Sequence, residues 1–277
     1  MNTENDNFAP GLFYDEYAHV VARRIGYPTR AVYKSFIAWK EYKDIILNLC
    51  GDLNRVADLG GCYGFGLNAF LFHGERIIGH KIRGDLYELS EHYSKIGKLM
   101  FPNLNFITKD FNTVTVNIPY DIILMFDFLE HVSNPQQFLE SAMLKSRFVI
   151  IKTPLETTNL REKNQAAGLE PPNKAGSEHP DGHLHFFTLP IFKQMLKETF
   201  DICKIWVWNE NSPQIVEIIN PETALYDVPK ESLIKKILWI PLRMMKAYDP
   251  RPWFYRNQIL KGDREGSAFI LARSKKY

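Results

Sequence analysis

Apolar residues recur along this chain at two periods, and the switch between them outlines the elements. Between residues 12 and 49 the spacing is helical: Phe13, Tyr17, Val20 and Val21, then Val32, Phe36, Ile37 and Trp39, with Gly26 and Pro28 between the two sets. This predicts helices over 12–25 and 30–49 ahead of the main domain. From Arg55 onward, short apolar runs alternate with amphipathic stretches. Strands are expected at 55–59, 80–84, 104–108, 120–126 and 147–152, with helices at 67–73, 88–100 and 135–144. Strands separated by helix-length segments imply crossover units and a parallel sheet. Later the rhythm changes. A helix at 189–199 precedes strand-like runs at 202–208 and 214–219, and the apolar run 268–272 has the character of a buried strand. Between Pro221 and Gly266 lies an insertion with its own expected helix.

Composition narrows the class without changing this outline. The 277 residues can bury a sizeable core, and 45% hydrophobic against 24% charged residues argues against disorder. Three unevenly spaced cysteines (Cys50, Cys62, Cys203) form no C-x-x-C pair, which favours a reducing compartment over a disulfide or zinc framework. The polar, acidic start is not a secretory signal, and no apolar run approaches the roughly 18–20 residues that span a bilayer. A cytoplasmic protein is expected. The net charge of +2 conceals an asymmetry, because residues 230–277 hold 12 basic and 4 acidic side chains. Such a tail suits a membrane surface, an acidic partner or plain solvation.

The chemistry starts where the first strand ends, in Asp58-Leu59-Gly60-Gly61-Cys62-Tyr63-Gly64. Glycines after a strand let a ligand approach the backbone, and the following helix offers free N–H groups and a positive dipole end. Two cofactors compete for such a turn. Gly64-Phe65-Gly66-Leu67-Asn68-Ala69 fits G-x-G-x-x-A, with Asp85 lying 21 residues after Gly64, as in a dinucleotide fingerprint. Those glycines, however, begin four residues after Gly60, whereas a dinucleotide loop starts as the strand ends.

The whole turn from Asp58 to Gly64 resembles the acid-x-Gly-x-Gly-x-Gly turn of class I S-adenosylmethionine-dependent methyltransferases, with Cys62 in place of the middle glycine. The likeness extends through residues 54–209 and resumes near 267. Asp85 falls where the family has its ribose-binding acid, and Asp110-Phe111 where it has an acid and a flat neighbour beside adenine. Asp127-Phe128-Leu129-Glu130-His131-Val132 resembles the ending of the fourth strand. His183-Leu184-His185-Phe186-Phe187-Thr188 resembles an element of the branch containing ubiquinone-biosynthesis O-methyltransferases and sugar methyltransferases. The resemblance implies an α/β fold: a Rossmann-like, seven-stranded, mostly parallel sheet with an antiparallel last strand. Around it stand an N-terminal helical cap (1–53), the methyltransferase domain (54–220 with 265–277) and a C-terminal insertion (221–264). It implies S-adenosylmethionine as cofactor, held by Asp58, Gly60, Gly61, Gly64, Asp85, Asp110, Phe111 and Asp127.

Methyl transfer is largely a matter of aligning an in-line displacement, and a hydroxyl acceptor also needs a base near neutrality. His131 and His185 are the candidates, both expected at the carboxyl edge of the sheet where open α/β folds bind ligands. Glu130, His131 and the His-x-His pair are ligand types for a metal, but sequence alone does not bring them together, and the reading is metal-free. The polar stretch 153–182 reads as a lid over the acceptor or as a surface loop, with Asn159, Arg161, Lys163 and Asn164 suited to a hydroxyl-rich or anionic acceptor.

In 231–248, Lys235, Lys236, Arg243 and Lys246 share an arc of about 100° beside a broad apolar face, interrupted by Pro241. This fits peripheral contact with the inner membrane face, or packing against the domain or a second subunit in a homodimer. No nucleic-acid-binding module is recognisable. The expected function is O-methylation of a sugar or other small hydroxylated acceptor, including a lipid-linked glycan of polysaccharide biosynthesis. The alternatives are an NAD-dependent oxidoreductase and a non-catalytic cofactor-binding module.

Overall fold

The computed structural model describes residues 27–155, 183–208 and 266–277. The helix expected at 12–25, the strand at 214–219, the 221–264 insertion with its basic helix, and 156–182 of the expected lid lie outside the described residues. In chain order the elements are α1 (Tyr27–Cys50), β1 (Arg55–Leu59), α2 (Phe65–Ile78), β2 (Arg83–Tyr87), α3 (Glu91–Met100), β3 (Asn105–Ile107), β4 (Tyr120–Phe126), α4 (Pro135–Lys145), β5 (Ser146–Leu155), α5 (Leu189–Leu196), β6 (Phe200–Trp208) and β7 (Gly266–Ser274). Single 3-10 turns cover Phe111–Thr113 and Leu129–His131.

The seven strands lie in the order β3-β2-β1-β4-β5-β7-β6. The first five pair in parallel, and β7 runs antiparallel between β5 and β6. The expected mostly parallel sheet with an antiparallel last strand is therefore observed. Each face carries its own core. Val56, Leu86, Ile122, Leu124 and Ile150 pack against α1 and α2, while Ala57, Tyr87, Ile123, Met125 and Ile151 face Leu139 of α4 and Phe192 of α5. Alternation along each strand produces this division, since successive side chains point to opposite faces.

The N-terminal helix is fastened to α2 by polar contacts as well as apolar ones. Ser35 Oγ donates to the Gly66 carbonyl at 2.6 Å, and Trp39 Nε1 donates to the Phe70 carbonyl at 2.7 Å. The Trp39 ring lies over Gly74, where a Cβ would come within 2.7 Å of it. α1 is thereby held beside the start of α2, close to the glycine turn.

One expected element is displaced. The second strand, read at 80–84, is Arg83–Tyr87, and α2 extends to Ile78. Ile77 and Ile78 belong to the helix, which ends at Gly79 in a left-handed conformation (φ 88°). Gly84 and Asp85, poor strand formers, enter the strand because each is accommodated there. Gly84 nestles against Leu71 and Leu104, and Asp85 is matched by cations, as described below. Ser90 then caps α3 by accepting from the Tyr93 amide at 3.2 Å, so this helix starts three residues later than read.

Candidate functional site

β1 delivers Asp58 and then reverses through three left-handed residues: Gly60 (φ 68°), Cys62 (φ 50°) and Gly64 (φ 92°). Cys62 thus adopts a left-handed backbone that favours glycine. Gly61 is needed for a different reason. A Cβ there would fall 2.4 Å from the Asp58 carboxylate and 2.9 Å from Leu86. Gly64 caps α2, and its carbonyl accepts the Asn68 amide at 2.9 Å. The turn is tied to the neighbouring strand by the Gly60 amide on the Tyr87 carbonyl at 2.8 Å.

The acid that meets this turn is Glu88. It follows β2 directly and is buried; one carboxylate oxygen accepts from the Cys62 amide at 3.0 Å and the other from the Ser90 amide at 2.8 Å. Glu88 was missed in the sequence because the second strand was read three residues early. The signal was present in Glu88-Leu89-Ser90, where Ser90 caps a helix and the residues before it must belong to the strand end.

Asp85 lies elsewhere. It sits mid-strand opposite Ala57, on the face away from α1 and α2. Its carboxylate accepts from Arg55 (2.9 Å), Arg83 (3.2 Å), Asn105 (2.9 Å) and the Tyr120 hydroxyl (2.8 Å). Burial alone would raise its pKa, but the bonds from Asn105, Tyr120 and Arg55 and the charge of Arg83 hold it below the ordinary carboxylate value. The expectation that Asp85 ends the second strand is corrected: its contacts are those of a strand-to-strand tie.

Asp110 is exposed and caps the turn after β3, accepting the Asn112 amide at 2.9 Å. Phe111 is buried on the second face, edge-on to Tyr87 at 4.9 Å, with the Lys145 ammonium 4.4 Å from its ring centre. It packs in the core cluster on the sheet face opposite Asp58.

Asp127, just beyond β4, has a left-handed backbone (φ 50°), and its carboxylate is gripped by Lys34 of α1 and Lys152 of β5. Burial opposes its ionisation, yet the two ammoniums overcome that and keep the carboxyl well below its ordinary range. Lys34 acts on Asp58 as well. The Asp58 carboxyl is 3% exposed, and burial pushes its pKa up to about 8; Lys34 lowers it and Glu88 raises it.

The sign of this shift predicts a pH dependence. The folded chain keeps an Asp58 proton that the unfolded chain loses near the ordinary value of 3.8. Between there and about 8 the folded state binds more protons, so the stability from this group is complete at acid pH and lost as pH rises through that window. Asp58→Asn cannot ionise and is expected to show a shallower loss. Thermal unfolding of both forms between about pH 5 and pH 8 tests this, and parallel slopes would show that Asp58 stays charged.

The histidines fall into two roles. The His185 and Leu184 amides donate to the Glu130 carbonyl at 3.2 and 2.7 Å, and His185 Nε2 bonds the Val132 carbonyl at 2.9 Å. Because a carbonyl only accepts, Nε2 carries the proton there. The ring stacks on Phe187 with centres 5.9 Å apart, and burial lowers its pKa. His185 thus anchors the segment before α5 to the turn after β4. His131 is instead edge-on to His183, ring centres 5.0 Å apart, beside the fully buried Glu130.

No family model and no curated protein matches the chain. Solved structures do match its fold. A protein of Galdieria sulphuraria assigned as a sarcosine dimethylglycine methyltransferase aligns over 86% of this chain and 85% of its own, with TM-score 0.50 and 13% identity. A chain from the complex of the Haloferax volcanii Trm112 methyltransferase activator with its methyltransferase partner aligns over 94% and 96%, with TM-score 0.52 and 12% identity. The fold is the Rossmann-like methyltransferase fold. At these identities the likeness concerns architecture.

Proposed function

We propose that the chain is an S-adenosylmethionine-dependent methyltransferase acting on a hydroxyl of a small or sugar acceptor. The observation that carries this reading is the cradle at the carboxyl edge: a turn with three left-handed residues, flanked by the buried acids Asp58 and Glu88. The cradle fits a nucleoside with a cationic tail. Glu88 supplies two oxygens for a vicinal diol, replacing Asp85 in the ribose role. A Cβ at Gly60 or Gly61 would collide with Phe128 or the Asp58 carboxylate, so the turn leaves no room for side chains where the ligand must approach. Asp58, which keeps its proton near neutrality in the empty cradle, would ionise beside the ammonium or sulfonium of a bound ligand. When bound, S-adenosylmethionine supplies an electrophilic methyl group.

The dinucleotide alternative is less well supported. The dinucleotide sheet has order 3-2-1-4-5-6, whereas here β7 intervenes, antiparallel, between β5 and β6. Gly66 of the G-x-G-x-x-A match lies inside α2 with its carbonyl bonded to Ser35, and does not form part of the turn.

An oxygen acceptor is favoured by the cluster of Glu130, His131 and His183, whose polar side chains can promote the loss of a hydroxyl proton. The sugar or lipid-linked glycan acceptor rests on the His183–Thr188 resemblance and on the basic, apolar-faced sequence of 231–248. No helix among the described residues is long and apolar enough to cross a membrane.

Calorimetry on one sample with S-adenosylhomocysteine and with NAD tests the cofactor. Binding of the sulfur nucleoside alone is expected. Tight NAD binding without it would overturn the reading, and cofactor binding with no turnover across a panel of hydroxylated acceptors would favour a binding module.

A further inference from the structure

We propose that Glu130, His131 and His183 bind a divalent transition-metal ion at the carboxyl edge of the sheet. One ligand atom from each of the three lies within 4.8 Å of the other two. Metal–ligand lengths of about 2.0–2.2 Å place neighbouring ligand atoms roughly 3–4 Å apart, so small side-chain rotations close the site. The donor set decides the class of ion. Two imidazoles and one carboxylate suit zinc and the ions near it, whereas magnesium and calcium prefer all-oxygen shells. Three protein ligands leave a further position for an exogenous oxygen.

A second observation points to a ligand here. Glu130 is fully buried, and its Oε1 has no hydrogen-bond partner among the described residues. The other oxygen is steadied by the Thr153 hydroxyl at 3.4 Å. A carboxylate left half-satisfied in the interior is costly, and a cation offsets that cost. The scaffold is also pre-set. Glu130 and His131 share the 3-10 turn after β4, and the Glu130 carbonyl takes the Leu184 and His185 amides, which fixes His183 opposite them. His185 completes the clamp through Val132. Asp127 is already held by Lys34 and Lys152 and stands outside the ligand set.

The ion's use in catalysis rests on the methyl-transfer reading; its binding does not. Positive charge beside an acceptor hydroxyl lowers that hydroxyl's pKa, and the proton passes to solvent. The O–CH3 bond then forms as the S–CH3 bond breaks, and the sulfonium leaves as a neutral thioether.

Co2+ titration of the chelator-treated full-length protein tests the site directly. A visible absorption band saturating at one equivalent is expected, with thermal stabilisation by Co2+ or Zn2+. His183→Ala and His131→Ala should each weaken Co2+ binding by more than the roughly 10–100-fold that loss of an outer partner costs. S-adenosylhomocysteine calorimetry on the same variants reports whether they fold, and keeps a failure of the metal site distinct from a failure of the methyltransferase reading. Absence of Co2+ and Zn2+ binding to the wild-type protein, or unchanged binding by both folded variants, would overturn the proposal.

Discussion

Glu88→Ala is expected to weaken S-adenosylhomocysteine binding by at least about 100-fold, whereas Asp85→Asn should leave affinity nearly unchanged and lower stability instead. Two hydrogen bonds from a ribose diol to a buried carboxylate contribute about 1.5–3 kcal/mol each, and every 1.4 kcal/mol is tenfold in affinity. Part of the loss comes from the turn itself, since the Cys62 amide loses its acceptor. Asp85 has no such contact with the turn. Asn removes the charge and turns one of the two acceptor oxygens into an NH2 donor, which faces either Arg55 and Tyr120 or Arg83 and Asn105, at a cost near the lower end of about 3–5 kcal/mol because Arg83 is largely exposed. Calorimetry and chemical denaturation on the two variants separate the roles. Strong loss of affinity in Asp85→Asn with normal stability would restore Asp85 as the ribose acid and remove Glu88.

Why the sequence pointed to Asp85 is instructive. Strand positions are read from apolar runs, and within 80–84 Ile82 is the one large apolar residue, so nothing there fixes the strand's bounds. A strand bearing Gly84 and Asp85 looks unfavourable until its neighbours are known, because Arg55 comes from β1 and Asn105 from β3. The sheet elsewhere was legible, since β4 and β5 are nearly continuous apolar runs whose burial needs no partner information. The site was legible where one element supplies it, as at the glycine turn. It was obscure where distant residues meet: Lys34 and Asp127 are 93 positions apart, and nothing local in either marks the pairing. His185 illustrates the same limit in reverse. Its position in His-x-His made it a candidate base, but a carbonyl 53 positions away occupies its ring nitrogen.

The order Gly61-Cys62 leads to the second large effect, in which neighbouring substitutions act in opposite directions. Gly61→Ala places a methyl group 2.4 Å from the Asp58 carboxylate and 2.9 Å from Leu86. Neither can yield easily, because Asp58 is buried at the strand end and Leu86 belongs to the sheet core. Overpacking of this kind costs about 1–3 kcal/mol, and the displacement it forces falls on the cofactor cradle. Affinity for S-adenosylhomocysteine should therefore fall at least about tenfold. Cys62→Gly relieves a left-handed non-glycine residue, worth about 1–2 kcal/mol, against an unfolded-chain entropy cost of about 0.4–1 kcal/mol. That variant should be as stable as the wild type or slightly more so, with its cofactor affinity retained, because Glu88 binds the residue 62 amide and not its side chain. Opposite outcomes would show that the thiol makes a contact the backbone argument omits. The expected pair of results would instead establish that the turn works through its backbone path, with Cys62 tolerated at a position whose geometry suits glycine and Gly61 required at one whose φ does not demand it.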